Sequence, residues 1–99
     1  MVDESRESSP LDGFVAIVTG AAQGLGLAIA ERLANDGAGV FLADLQFEKA
    51  EAEALQLRQK GLDATAAELD VSDIAAVEGF FEGLGARGKG VDILVNSAG

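Results

Sequence analysis

No cysteine, histidine, tyrosine or tryptophan occurs among the 99 residues, and proline appears once. Without thiols the chain has no disulfides and no thiolate chemistry. With histidine missing as well, zinc sites and Ser-His nucleophilic catalysis are excluded, and no metal-binding set is expected. Basic residues are scarce too. Seven Lys and Arg against seventeen Asp and Glu leave a formal charge of −10. That balance argues against a nucleic-acid partner, because no basic stripe is available to displace counterions from phosphates. It argues equally against an anionic membrane surface. No apolar run approaches the ~20 residues of a membrane span. Met1 to Pro10 is polar and acidic, without the basic start and apolar centre of a signal peptide. A cytoplasmic protein with neither membrane nor nucleic-acid partner is the expectation.

What is present is a globular composition: 48% hydrophobic residues and a mean hydropathy of +0.23 set the chain apart from disordered sequences. Residues 1–12 read as a flexible acidic tail and 13–99 as one domain. From there strands and helices alternate. Phe14 to Thr19 is wholly apolar up to its last residue, as expected of a central parallel strand covered on both faces. Leu25, Ile29 and Leu33 recur every four residues and predict one helical stripe between Gly24 and Asp36, with Gly37 as C-cap.

Gly39 to Asp44 is the second strand. A helix from about Gln46 to Lys60 carries Phe47, Ala50, Ala54 and Leu57 on one face, acids toward its start, and Arg58 and Lys60 at its end. Ala64 to Leu69 reads as a short strand leading to Asp70 and Val71, and Ser72 as N-cap of the next helix. Ile74, Val77, Phe81 and Leu84 give that helix its buried face, and Gly85, Gly88 and Gly90 separate it from a last strand over 91–96. Such alternation implies right-handed crossovers and an α/β fold: a Rossmann-type doubly wound parallel sheet in the order 3-2-1-4, truncated after four strands. The first two helices then share one face, and the third covers the other. The last strand becomes an apolar edge, an aggregation hazard that makes an isolated chain of this length marginal or oligomeric.

Between the first strand and first helix stands Thr19-Gly-Ala-Ala-Gln-Gly-Leu-Gly26. A strand running through glycines into a helix is suited to a pyrophosphate: the helix offers free N–H groups and partial positive charge, and glycine permits close approach. With 13 glycines in the chain, a G-x-x-x-G-x-G match arises by chance roughly 0.2 times, so context must decide. Gly83-Leu-Gly-Ala-Arg-Gly88 fits the textual G-x-G-x-x-G pattern, yet it follows a helix and precedes a strand. It reads as a helix stop and a loop.

Asp44 ends the second strand, eighteen residues beyond Gly26, where a carboxylate can accept hydrogen bonds from the adenosine ribose of a dinucleotide. There it selects NAD over NADP: a carboxylate ~4 Å from one negative charge costs about 4 kcal/mol at an effective dielectric of 20, roughly three decades of affinity. No basic residue lies in Ala21-Ala22-Gln23 or at Leu45-Gln46 to counter it. Asp70 and Val71 are candidates for the adenine, or a plain helix entry. Asn96-Ser97-Ala98-Gly99 offers small residues beside the expected crevice.

Taken together, TGAAQGLG, then Asp44, then Asp70-Val71, then Val91-Asp-Ile-Leu-Val-Asn-Ser-Ala-Gly99 resemble the short-chain dehydrogenases/reductases over about residues 12–99. The resemblance implies a Rossmann-type subunit that interconverts alcohols and carbonyls with NAD(P), commonly as a homo-oligomer. It assigns Gly20, Gln23, Gly24, Leu25 and Gly26 to the pyrophosphate turn, Asp44 to the ribose, Asp70 and Val71 to the adenine. Asn96 opens the family's Asn-Asn-Ala-Gly motif, which departs here by having Ser97 as its third-from-last residue. The family's Ser, Tyr and Lys lie downstream, so no catalytic residue is assigned within the chain. It is expected to bind the cofactor and be inactive alone, as the amino-terminal portion of an oxidoreductase. Two other readings are a short non-catalytic nucleotide-binding or dimer-interfering module and a methyltransferase fragment. The latter usually has an acid where Thr19 stands.

Overall fold

The structure, a computed structural model, describes residues 10–86 and 90–97. Four strands, β1 (Val15–Thr19), β2 (Gly39–Asp44), β3 (Ala64–Glu68) and β4 (Ile93–Asn96), alternate with three helices, α1 (Gly24–Asn35), α2 (Phe47–Gln59) and α3 (Ile74–Ala86). All pairings are parallel and the order is β3-β2-β1-β4, the expected doubly wound arrangement. Register places Thr19 beside Ala43 on one side and Asn96 on the other, so the carboxyl ends of β1, β2 and β4 open together.

Strand residues alternate between two cores, because successive side chains point to opposite faces. Ala16, Val18, Val40 and Leu42 meet α1 and α2 on one face, through Ala30, Ala34, Ala50, Ala54 and Leu57. Ile17 and Ala43 meet α3 on the other, through Leu84 with Val77, Phe80 and Phe81 alongside. The division of helices between faces is as the sequence predicts.

Both α1 and α2 end on glycine in the left-handed region, Gly37 at φ 107° and Gly61 at φ 86°. In each case the glycine N–H and the following N–H bond back to the last turn (Gly37 to Ala34 and Ala38 to Leu33; Gly61 to Arg58 and Leu62 to Leu57). These are Schellman caps, open only to a residue that tolerates positive φ.

Several expectations need correction. The buried line of α1 is Gly26, Ala30 and Ala34. Leu25 is 72% exposed, and Ile29 and Leu33 only flank the core. Helix α1 lies so close to β1 that the contact line admits only small side chains. Ile74 is likewise 73% exposed at the first turn of α3. That helix is capped not by Ser72 but by Asp73, whose Oδ1 accepts the Ala76 N–H at 3.1 Å. Gly83 and Gly85 lie inside α3 rather than stopping it, and Gly88 falls outside the described residues. Strand β4 begins two residues late, since Asp92 exchanges two bonds with the backbone of Val15. At the other end, residues 1–9 of the expected tail are outside the described residues, whereas the Leu11 N–H already bonds the Asp36 carbonyl.

Candidate functional site

The segment between β1 and α1 is built by its glycines. Gly20 leaves the strand at φ 64° and Gly24 enters the helix at φ 62°, both in the region that side chains resist. Ala21 and Ala22 between them are fully buried, so the loop is pinned to the core at its midpoint. Gly26 has a different role. A Cβ there would stand 2.1 Å from the Gly20 carbonyl oxygen and 2.5 Å from Ser97 Oγ, so only glycine lets α1 start against the end of β1.

The first turn of α1 is electrostatically open. Its N-cap, Gln23, makes no side-chain capping bond, and no acidic residue sits in that turn. The N–H groups of Gly24, Leu25 and Gly26 precede the first intrahelical bond, from Leu27 N–H to the Gln23 carbonyl. Unpaired first-turn donors and the helix dipole together favour an anion. Leu25 offers this position only its backbone, its side chain lying in solvent.

Asp44 holds the other side of the crevice. Its Oδ2 accepts the Ala22 N–H at 3.0 Å and its Oδ1 accepts the Gln46 N–H at 2.9 Å. One bond orients the carboxylate toward the glycine loop, the other toward the start of α2. Each oxygen keeps a further acceptor site for a hydroxyl donor. Gly20, Asp44, Asp70 and Val71 line one hollow of about 100 Å³, with Leu45 and Leu69. Four of the nine residues singled out in the sequence thus converge on one space.

Asp70 Oδ1 accepts both the hydroxyl and the N–H of Ser72, at 2.6 and 2.9 Å. Those two bonds, the hydroxyl's foremost, hold its carboxyl below the usual value of 3.8. Asn96 does not line that hollow. It lines a neighbouring one of about 160 Å³, with Thr19, Val71 and Phe81. Its Oδ1 accepts the buried Thr19 hydroxyl at 2.9 Å.

Contacts that sequence reasoning did not reach complete the frame. The Ser97 N–H donates to Thr19 Oγ1 at 3.2 Å and the Ser97 hydroxyl donates to the Thr19 carbonyl at 2.6 Å, clamping β4 to β1 beneath the glycine turn. Thr19 carries a sequence signal, as the polar end of an apolar run, and Ser97 as the departure from the Asn-Asn-Ala-Gly motif; neither signal shows the clamp between them. Lys49, on α2, donates to Gln23 Oε1 across the loop. It was invisible in the sequence because 26 residues separate the two. Among the described residues no helix is long and apolar enough to cross a membrane.

The frame matches known proteins. The sequence model of the short chain dehydrogenase family matches residues 14–99. D-threitol dehydrogenase of Mycolicibacterium smegmatis is 46% identical over 89 residues, covering 90% of this chain and 34% of that protein. The crystal structure of a hydroxysteroid dehydrogenase from Escherichia coli superposes with a TM-score of 0.84 at 35% identity, over 94% of this chain and 40% of that one. A gluconate 5-dehydrogenase from Burkholderia cenocepacia, solved in complex with NADP and tartrate, gives 0.82 at 40% identity, over 92% and 36%. The chain spans about a third of the length of the curated relatives it matches. A match from the first strand to the end of the chain excludes the methyltransferase reading: this chain belongs to the short-chain dehydrogenase family.

Proposed function

We propose that this chain is the dinucleotide-binding portion of an oxidoreductase that interconverts alcohols and carbonyls, with NAD preferred over NADP. The observation that carries the reading is the convergence of Gly20, Asp44, Asp70 and Val71 on one hollow beside an uncapped helix start. The residues fit the group on their own chemistry. Gly26 lets α1 start against the end of β1, and the N–H groups of Gly24, Leu25 and Gly26 suit the pyrophosphate oxygens. Asp44, already oriented by two backbone donors, accepts from the ribose hydroxyls. Asp70 and Val71 flank the adenine, and Asn96, held by Thr19, borders the crevice on the β4 side.

When bound, the nicotinamide supplies hydride transfer. This chain's part is to bind and orient the cofactor, and none of its residues is assigned a proton-transfer role. The polyol and sugar-acid names of several relatives support a substrate among hydroxylated small molecules. As in the resemblance, the working form is a homo-oligomer in the cytoplasm.

Calorimetric titration with NAD and NADP tests the proposal. NAD is expected to bind at micromolar to millimolar strength, NADP at least tenfold more weakly, and Asp44→Ala to narrow the gap. Binding of neither cofactor, or a preference untouched by Asp44→Ala, overturns it.

A further inference from the structure

We propose that Lys49 is a specificity-determining residue of this site, its ammonium partly offsetting Asp44 so that a dinucleotide bearing a 2′-phosphate still binds measurably, though more weakly than one without it. The inference rests on the dinucleotide reading above.

Three observations place Lys49 there. Its Nζ donates to Oε1 of Gln23, the residue at the start of α1. Gln23 adjoins Ala22, whose N–H holds Asp44 Oδ2 at 3.0 Å, so the ammonium and the carboxylate share one rim. Second, Lys49 lines a hollow of about 520 Å³ with Leu45, Phe47 and Glu68, and Leu45 also lines the smaller hollow at Asp44. A phosphate on the ribose oxygen beside Asp44 has room to enter.

Third, the described arginines of α1 and α2 are paired with acids. Arg32 pairs with Asp36 and Arg58 with Glu51, whereas among the described residues no carboxylate lies within 4.0 Å of Lys49. Its partner is a neutral amide, which an incoming anion displaces without breaking an ion pair.

The rim also presents Glu48 and Glu68, the latter in register with Asp44 on β3. One ammonium among these acids reduces discrimination and does not reverse it. Asp44 alone gives roughly three decades in favour of NAD; an opposing unit charge at about twice that range, ~8 Å, offsets about half of it and leaves about ten- to hundredfold.

The test is calorimetric titration of the chain with NAD and with NADP, comparing Lys49→Gln, Lys49→Arg and Lys60→Gln. Lys60 ends the same helix, roughly 16 Å away along its axis, and controls for net charge. Lys49→Gln is expected to weaken NADP about tenfold or more and NAD less than threefold. Lys49→Arg retains the parent ratio, and Lys60→Gln alters neither affinity. Equal losses for both cofactors with Lys49→Gln, no loss for NADP, or NADP binding too weak to measure beside a clear NAD signal overturns the role of Lys49. If the unmodified chain binds neither, the dinucleotide reading itself falls, and this inference with it.

Discussion

Gly26→Ala separates close packing from backbone freedom within one loop. The added carbon would sit 2.1 Å from the Gly20 oxygen and 2.8 Å from its carbonyl carbon, both backbone atoms that no rotamer change can move aside. Carbon–oxygen contacts even as weak hydrogen bonds run at about 3.3 Å, so α1 must retreat by roughly 1 Å. Overpacking of that kind costs about 1–3 kcal/mol, offset by up to about 1 kcal/mol from alanine's better helix propensity. A net loss of about 1–2 kcal/mol is large against the roughly 5–15 kcal/mol that holds a domain of this size.

Two comparisons isolate the cause. At Gly24 an added Cβ meets nothing within 4 Å but the backbone sits at φ 62°, so alanine costs about 1–2 kcal/mol through conformation alone. Gly79, inside α3 with open space and ordinary φ, should gain about 1 kcal/mol as alanine. Urea unfolding of the three variants, compared at constant slope, reads these differences. Gly26→Ala should also lose dinucleotide affinity, since the first-turn donors proposed to hold the phosphates retreat with the helix. A Gly26→Ala chain as stable as Gly79→Ala would refute the close-approach argument.

Two further outcomes follow from the clamp and from Asp70. Thr19→Val keeps the shape but removes the hydroxyl that serves both Asn96 and Ser97; a loss of about 1–2 kcal/mol in urea unfolding is expected, and no change would mean the clamp is idle. Ser72→Ala should raise the Asp70 carboxyl toward 3.8, read by carbon-detected NMR titration, and an unmoved titration contradicts the assigned cause. Because the native value is the depressed one, this stabilisation is present above about pH 3.8 and is lost as pH falls through the native value.

Most of the fold was legible because the signals were strong and local. Strand β1 starts one residue inside the predicted run, and β2 has the predicted bounds. Apolar strands closed by glycine or aspartate leave few alternatives, and alternation with helices dictates the sheet order. The errors share a physical origin. Ranking residues by size put Leu25 in the core, but where a helix lies close to a strand the smallest side chains make the contact, here Gly26, Ala30 and Ala34. Ser72 and Asp73 are both good caps, and only the turn geometry decides between them; Ser72 is spent on Asp70. Of the site, the glycine turn and the acid after β2 were readable from order and spacing. The Ser97 clamp and the approach of Lys49 to Gln23 span 78 and 26 residues, distances over which sequence pattern carries no information.

The most direct measurement is an amide-resolved NMR titration of the labelled chain with NAD. The account predicts the largest shifts at Gly24, Leu25 and Gly26, whose N–H groups face the phosphates, with smaller ones at Ala22, Val71 and Asn96. Shifts confined to the surface around α3, or none at saturating NAD, would contradict the assignment of this turn as a dinucleotide site.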